Sequence, residues 1–349
     1  MAFLHFNHIR IAGFGAGVPK NVVENDEGAV SSDVYSASDF VKTTGVRRRR
    51  VDFELTTSDL CLPAAERLIA DLGWDKKEID ALIFVSQTAD YFLPATACIL
   101  QDKLGLGREC YAADVSLGCS GWVYGLSYVA SLIESGTIRK AILLAGDAKR
   151  HYQVRHFDPL FGCAGTVTAV EFAQETERLC FHFGTDGSGF DAIIIPDGGA
   201  RNQVSVDSFR EEEFEGKMVS RLQTRMKGMD VFAFGISTVP KSIKKLTTQY
   251  NLTLEDYDYF IFHQANMKMN EVIRNKLKLP EEKVPYSMPD FGNTSSASIP
   301  LTIVTELREV ISGQKTNIIT CGFGVGLSWG TAAMTLDADC VISELTEVQ

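Results

Sequence analysis

Short strand-like runs punctuate the chain at 80–86, 109–115, 140–146, 257–262, 316–321 and 330–336. Several are continuously apolar with no alternation, which predicts strands of a sheet covered on both faces. Between these runs lie segments whose apolar positions recur at helical spacing, at 57–72, 94–104, 121–134, 228–250, 267–277 and 296–312. A Ser/Thr/Asp cluster opens 57–72 and Gly73 closes it; a shorter helix over 39–45 ends at Gly45. Helices alternating with apolar strands predict an α/β fold. The order helix–strand–helix appears early and again after residue 228, which predicts two similar halves, 1–180 and 181–349. Around their junction, 184–199 reads as Gly-rich turns and 207–215 as an exposed acidic loop. Near the start, 8–14 reads as a strand and 13–19 as the loop after it. The Gly-x-Gly-x-Gly of that loop lacks the helix start of a dinucleotide fingerprint, so a phosphate-binding reading is weak.

Composition narrows the function. A chain of 349 residues with 45% hydrophobic and 23% charged residues has the balance of a globular protein with a large core. A formal charge of −11 argues against nucleic-acid binding, which needs a basic field. Eight cysteines are scattered at 61, 98, 110, 119, 163, 180, 321 and 340 with no Cys-x-x-Cys pair, so neither a zinc site nor a redox dithiol is signalled. The first residues lack the charged and apolar regions of a signal peptide, and no apolar run reaches the length of a membrane span. The expected setting is a reducing cytoplasm, without a membrane partner.

Cys119 stands where the run 109–115 gives way to the helix 121–134. A thiol at a helix start faces unpaired N–H groups and the positive end of the helix dipole, which favours the nucleophilic thiolate. The plainer alternative is a small buried apolar residue. His263 ends the run 257–262 in Phe-His-Gln-Ala-Asn. Both residues thus fall at C-terminal ends of strands, where ligands bind in sheets of this kind. Asn293 stands in Gly-Asn-Thr-Ser-Ser-Ala-Ser, at the opening of a helix, where a capping role is the ordinary one. The Phe-Gly-Val-Gly-Leu-Ser-Trp-Gly of 323–330 is either a tight turn or a close backbone approach to a substrate carbonyl. The four arginines 47–50 read as a solvated edge ahead of a phosphate contact.

Taken together and in this order, these motifs resemble the β-ketoacyl synthase III type of condensing enzyme, within the thiolase-like superfamily. The resemblance runs along nearly the whole chain. It also takes in Thr44-Gly45-Val46 followed by arginines, and Met229-Asp230-Val231-Phe232. It implies a duplicated five-layer α-β-α-β-α fold in which Cys119 carries the acyl group covalently. The backbone N–H groups of Cys119 and Val325 would form the oxyanion hole. His263 and Asn293 would hydrogen-bond the thioester oxygen of a malonyl-type extender during decarboxylation. No metal or redox cofactor is implied. The expected assembly is a homodimer in which Leu93, from the loop 91–94, lines the partner's acyl pocket. The expected partner is acyl carrier protein, docking on a patch of Lys268, Arg274 and Lys276, with acyl-CoA as another acyl donor.

Four departures qualify the resemblance. Ser-Asp-Phe-Val-Lys-Thr at 38–43 replaces the Trp and Arg that clamp coenzyme A, removing a stacking ring and a phosphate fork. Lys268 replaces an arginine, Ala233 a basic residue, and Cys163 an acid. These changes favour a specialised pathway over the housekeeping initiation of fatty acid synthesis. Acyl transfer from Cys119 to an alcohol, amine or other acceptor is the alternative. A non-catalytic partner subunit of a heterodimer is disfavoured, because it need not keep Cys119, His263 and Asn293 together.

Overall fold

The structure is a computed structural model, and it describes residues 2–26, 36–148 and 158–349. Its principal strands, in chain order, are β1 (Ala2–Phe6), β2 (Ile9–Pro19), β3 (Ala81–Val85), β4 (Tyr111–Val115), β5 (Lys140–Asp147), β6 (Ala164–Phe172), β7 (Leu179–Thr185), β8 (Tyr259–Phe262), β9 (Thr316–Gly324), β10 (Ser328–Leu336), β11 (Val341–Ile342) and β12 (Thr346–Val348). The helices that frame the site are α1 (Ala37–Thr44), α2 (Thr57–Asp71), α3 (Thr96–Lys103), α4 (Gly121–Glu134), α5 (Gly228–Tyr250) and α6 (Met267–Leu277).

Two sheets organise these elements. The first runs β11–β2–β6–β5–β3–β4, with β12 also paired to β2; the second runs β1–β7–β10–β9–β8. They interlock at the termini: β1 pairs with β7 in the second sheet, while β11 and β12 pair with β2 in the first. Helices α2 and α3 cover the outer face of the first sheet, and α5 and α6 cover the outer face of the second. Between the sheets lie α4 and the helical segment that starts at Ser295. The result is the expected five-layer α-β-α-β-α arrangement.

Local chemistry explains the layers. Helix α4 buries Trp122, Val123, Leu126, Val129, Ala130 and Ile133, a set too broad for one stripe, as befits a helix between two sheets. The Trp122 indole N–H donates to Thr168 Oγ1 at 2.9 Å, so its one polar atom is satisfied in the core. Helix α2 starts with a capping box in which Thr56 and Asp59 satisfy each other's backbone N–H groups. Helix α1 stops at Gly45, whose φ of 79° is the left-handed cap a side chain disfavours.

The structure corrects the reading of 13–19 as a loop. Strand β2 continues to Pro19, and Gly13, Gly15 and Gly17 lie on one of its faces. A Cβ at Gly13 would stand 2.9 Å from Leu68 Cδ1, at Gly15 3.1 Å from the Ala64 carbonyl oxygen, and at Gly17 2.1 Å from that of Leu60. Leu60, Ala64 and Leu68 are one helical stripe, so the glycines form the groove that seats α2. Strands β1, β6 and β7 had no signal in the apolar pattern. In β6 the buried Thr166 and Thr168 interrupt the run, and Thr166 Oγ1 donates to the Ala145 carbonyl. The expected helix over 296–312 is a composite: a 3₁₀ turn (Ser295–Ala297), an α segment (Ser298–Thr302), a π segment (Ile303–Leu307) and a last α turn (Arg308–Ile311).

The arginine run is only partly a solvated edge. Arg47 and Arg48 both reach Asp290, Arg50 pairs with Glu347, and Arg49 is buried with its Nε donating to Asn25 Oδ1. Desolvation lowers the Arg49 pKa, opposed by the charge of Asp158.

The α2–β2 contact has a direct test. Gly17→Ala is expected to destabilise the fold by about 1–3 kcal/mol, the scale of overpacking a core. Gly136→Ala, with nothing within 4 Å of the added carbon, serves as the neutral control. Denaturant midpoints of the two variants check the difference.

Candidate active site

Cys119 lies in the turn between β4 and α4, two residues ahead of the first helical residue. The Gly121 N–H closes this turn onto the Gly118 carbonyl at 2.7 Å. The turn is gripped from the second sheet. A Cβ on Gly324, at the end of β9, would lie 2.7 Å from Cys119 Cβ and 2.9 Å from its Sγ; one on Gly322 would lie 2.9 Å from the Cys119 carbonyl oxygen. The strand end therefore has to lack side chains there. Ser120 Oγ meets Ser328 Oγ at 2.7 Å, and Ser328 Oγ donates to the Val325 carbonyl at 2.7 Å. The Cys119 turn and the loop bearing Val325 are thus tied together by two hydroxyls. The 323–330 stretch is a tight turn between β9 and β10, and its Gly324 end is pressed against Cys119.

His263 follows β8 and is buried, with its backbone N–H donating to the Cys321 carbonyl at 2.9 Å. Its Nδ1 meets Ser298 Oγ at 2.8 Å, and its ring packs edge-on to Phe323 with centroids 5.5 Å apart. The other residues of its motif have structural work that the sequence did not expose. Gln264 donates to the Phe262 carbonyl and accepts the Ser287 N–H, holding the chain that leads to Asn293. Asn266 caps α6 by accepting the Met269 N–H at 2.8 Å.

Asn293 is buried, with its backbone N–H bonded to the Leu160 carbonyl and its own carbonyl to the Gly162 N–H. Its Oδ1 accepts the Ser295 N–H at 2.9 Å, which turns the amide NH₂ the other way. Ser295 stands at φ 53°, a left-handed conformation that costs a non-glycine residue about 1–3 kcal/mol and clusters at functional sites. Ser295 Oγ lies 3.8 Å from Cys119 Sγ. Contacts therefore close a ring: Cys119 to Ser295 to Asn293 on one side, and Cys119 to Gly324, Phe323, His263 and Ser298 on the other. Cys163 lies behind the Asn293 loop, in a small apolar cluster with Val51, Leu60 and Ala148.

The remaining expected residues are spread out. Leu93 is 83% exposed beside Phe92 at 94% and Tyr91 at 63%. Asp114, in β4, accepts the Thr96 and Ala97 N–H groups at 2.7 Å each. It thereby caps α3 from a neighbouring strand and anchors the chain just after the 91–94 loop. On α6, Lys268 is exposed. Arg274 is instead engaged by Glu271 and the Leu279 carbonyl, and Lys276 donates to the Ile236 carbonyl. The Arg274 hydrogen bond, helped by the Tyr286 hydroxyl, holds the Glu271 carboxyl below its ordinary pKa. Helix α1 approaches α6, with Gly45 against the Met267 side chain. No group of three or more His, Cys, Asp or Glu side chains among the described residues is arranged to hold a metal. Among them, too, no helix is long and apolar enough to cross a membrane.

Two interlocked sheets, with a cysteine turn and a histidine strand end meeting between them, define a thiolase-like fold. Sequence models for 3-oxoacyl-[acyl-carrier-protein] synthase III match residues 113–187, and its C-terminal model matches 247–336. The β-ketoacyl-[acyl-carrier-protein] synthase III of Clostridium perfringens is 32% identical over 332 residues, covering 94% of this chain and 99% of the relative. The crystal structure of a 3-oxoacyl-(acyl-carrier protein) synthase from Burkholderia xenovorans superposes with a TM-score of 0.91 at 38% identity, covering 99% of both chains. The priming β-ketosynthase of the R1128 polyketide pathway superposes at 0.80 with 25% identity, covering 95% of this chain and 97% of that one. The chain belongs to the β-ketoacyl-[acyl-carrier-protein] synthase III family of condensing enzymes.

The grip of β9 on the nucleophile turn sets a prediction. Gly324→Ala should slow acylation of Cys119 on the order of a hundredfold, the scale of misplacing a reacting group by about 1 Å. Time-resolved intact mass of the acyl adduct measures this.

Proposed function

We propose that Cys119 accepts the acyl group, and that His263 and Asn293 stabilise the enolate formed when a malonyl-type thioester loses carbon dioxide. The observation that carries this reading is the ring of contacts joining the three residues through Ser295 and Phe323-Gly324. The Cys119 thiolate adds to the acyl thioester, and the tetrahedral oxyanion is held by the backbone N–H groups of Cys119 and Val325 until the carrier thiolate leaves. The malonyl-type thioester then loses carbon dioxide, and its bonding electrons become the enolate. That carbon attacks the acyl-Cys119, giving a 3-ketoacyl thioester and returning the thiolate.

Two neutral donors suit this step, since they bind the enolate oxygen without delivering a proton to carbon. With Ser298 Oγ–H donating to Nδ1, the His263 proton would sit on Nε2, the nitrogen that this reading turns to the substrate oxygen. The bond from the Ser295 N–H to Oδ1 likewise leaves Asn293 presenting NH₂. Retention of both donors favours decarboxylation over simple acyl transfer, which needs only a general base. No metal or redox cofactor enters these steps.

The exposed run Tyr91, Phe92, Leu93 and the edge position of β4 support a homodimer formed at this side, with Leu93 entering the partner's acyl pocket. Lys268 is the cation of α6 best exposed to an acidic carrier protein. Arg274 and Lys276 would hold the helix in place behind it. The altered entrance at 38–43 favours a carrier-bound over a coenzyme A-bound acyl donor. It also supports a specialised pathway. In this reading the chain is two similar halves, 1–180 and 181–349, at work in the cytoplasm.

Cys119→Ala should abolish the acyl adduct. His263→Ala and Asn293→Ala should still acylate, yet release carbon dioxide about 10²–10³-fold more slowly, the scale of losing one oxyanion donor. Intact mass and carbon dioxide release from a malonyl thioester read the two steps separately. Full condensation by Cys119→Ala would sink the mechanism.

A further inference from the structure

Asp147 ends β5 and is fully buried, yet it belongs to none of the motifs that mark the site. Its Oδ1 accepts the Gln87 N–H at 2.8 Å, Ser86 Oγ at 3.1 Å and Thr88 Oγ1 at 3.4 Å; its Oδ2 accepts Ser296 Oγ at 3.4 Å. Among the described residues it makes no ion pair. A buried carboxylate is retained only where donors replace its water, and here hydroxyls and a backbone N–H do so.

The partners lie on both sides of the reacting centre. Gln87 packs directly on the nucleophile turn: its Oε1 occupies the space 2.3 Å from where a Gly118 Cβ would be. Ser296 is in the Asn293 loop, next to Ser295, and its Cβ lies 3.6 Å from where a Gly121 Cβ would be, at the first residue of α4. Thr88 extends the set to Thr57, whose Oγ1 lies 2.7 Å from Thr88 Oγ1 and accepts the Ala148 N–H at 2.8 Å. One carboxylate thus holds the 86–88 loop against Gly118 with one oxygen and the Asn293 loop with the other.

We propose that Asp147 is a positioning residue for the condensation step, setting the distance between the Cys119 turn and the Asn293 loop through its bonds to the 86–88 loop and to Ser296. An asparagine removes the charge behind all four bonds, and its Nδ2 can meet Ser296 Oγ only if that hydroxyl turns round to accept. The inference rests on the decarboxylative role proposed for Asn293. It differs from a role in stability alone, because the rate at each acylated site has to fall.

The test uses full-length protein. Cys119 is first acylated and the adduct counted by intact mass; carbon dioxide release from malonyl thioester is then measured per acyl-Cys119. Asp147→Asn is expected to lower that per-site rate about ten- to hundredfold, the range for losing charge-assisted hydrogen bonds. Its KM for the malonyl thioester should stay within about threefold, because these bonds do not touch the substrate. Ser296→Ala, which cuts only the Oδ2 arm, should lower the per-site rate about three- to tenfold, as for one hydrogen bond. Its acylation rate should match the wild type. A wild-type per-site rate in Asp147→Asn overturns the inference. If Asp147→Asn does not fold, a wild-type per-site rate in Ser296→Ala overturns it instead. A wild type that acylates and releases no carbon dioxide overturns the decarboxylative reading, and this inference falls with it.

Discussion

The site depends on one close approach, that of the glycine-lined end of β9 to the turn carrying Cys119. The turn is an extension of the first sheet and β9 belongs to the second, so this is where the two sheets meet at Cys119. Any side chain at 322 or 324 would hold them apart, since the added carbons would fall under 3 Å from Cys119 atoms. The same strand end carries Phe323 against His263 and leads to Val325. Bare backbone at this point therefore fixes two things together: where the Cys119 thiol lies and how the His263 imidazole packs.

Around that contact, backbone geometry is held by short polar side chains. Ser120 and Ser328 link the nucleophile turn to the Val325 loop, Gln264 links the histidine strand to the approach to Asn293, and Asp147 ties together loops on either side of Cys119. Such groups suit the task because each bond has a direction, whereas apolar packing alone tolerates sliding. The strained φ of Ser295 fits this picture. Asn293 Oδ1 stabilises the conformation, and the same bond orients the Asn293 amide.

Much of this was legible in the sequence, and the reasons differ by element. The strands β3, β5, β8, β9 and β10 and the helices α4, α5 and α6 announce themselves because their burial is continuous or one-sided. Cys119, His263 and Asn293 stood out only as a set, through the order of their motifs, since each alone admits a plainer reading. Strand β6 was hidden because its threonines find partners inside the core, so its polarity is internal. The glycines of β2 were misread for a related reason: three alternate glycines look like a loop until the helix that fills them is in view. Arg274 looked like a surface cation, but Glu271, three residues before it on α6, pairs with it and spends its charge within the helix.

Asp147 and Asp114 were the least legible of all, and they share a cause. Each is an acid at the end of a strand whose partners come from elsewhere in the chain: Asp114 from the start of α3, Asp147 from the 86–88 loop and Ser296. Sequence spacing cannot pair a carboxylate with donors that only folding delivers. Their positions nonetheless have a common logic. Asp114 stands five residues before the nucleophile on the same strand and turn, and it fixes the helix behind the exposed 91–94 loop. Asp147 ends β5, one strand removed across β3, and bonds to the 86–88 loop and to Ser296 beside the Cys119 turn. Carboxylates suit both places because each offers two oxygens to several donors, so one side chain can set the spacing of two segments. Cys119 is thereby framed by two acids that hold the segments around it, which in the proposed reaction leaves His263 and Asn293 to face the substrate.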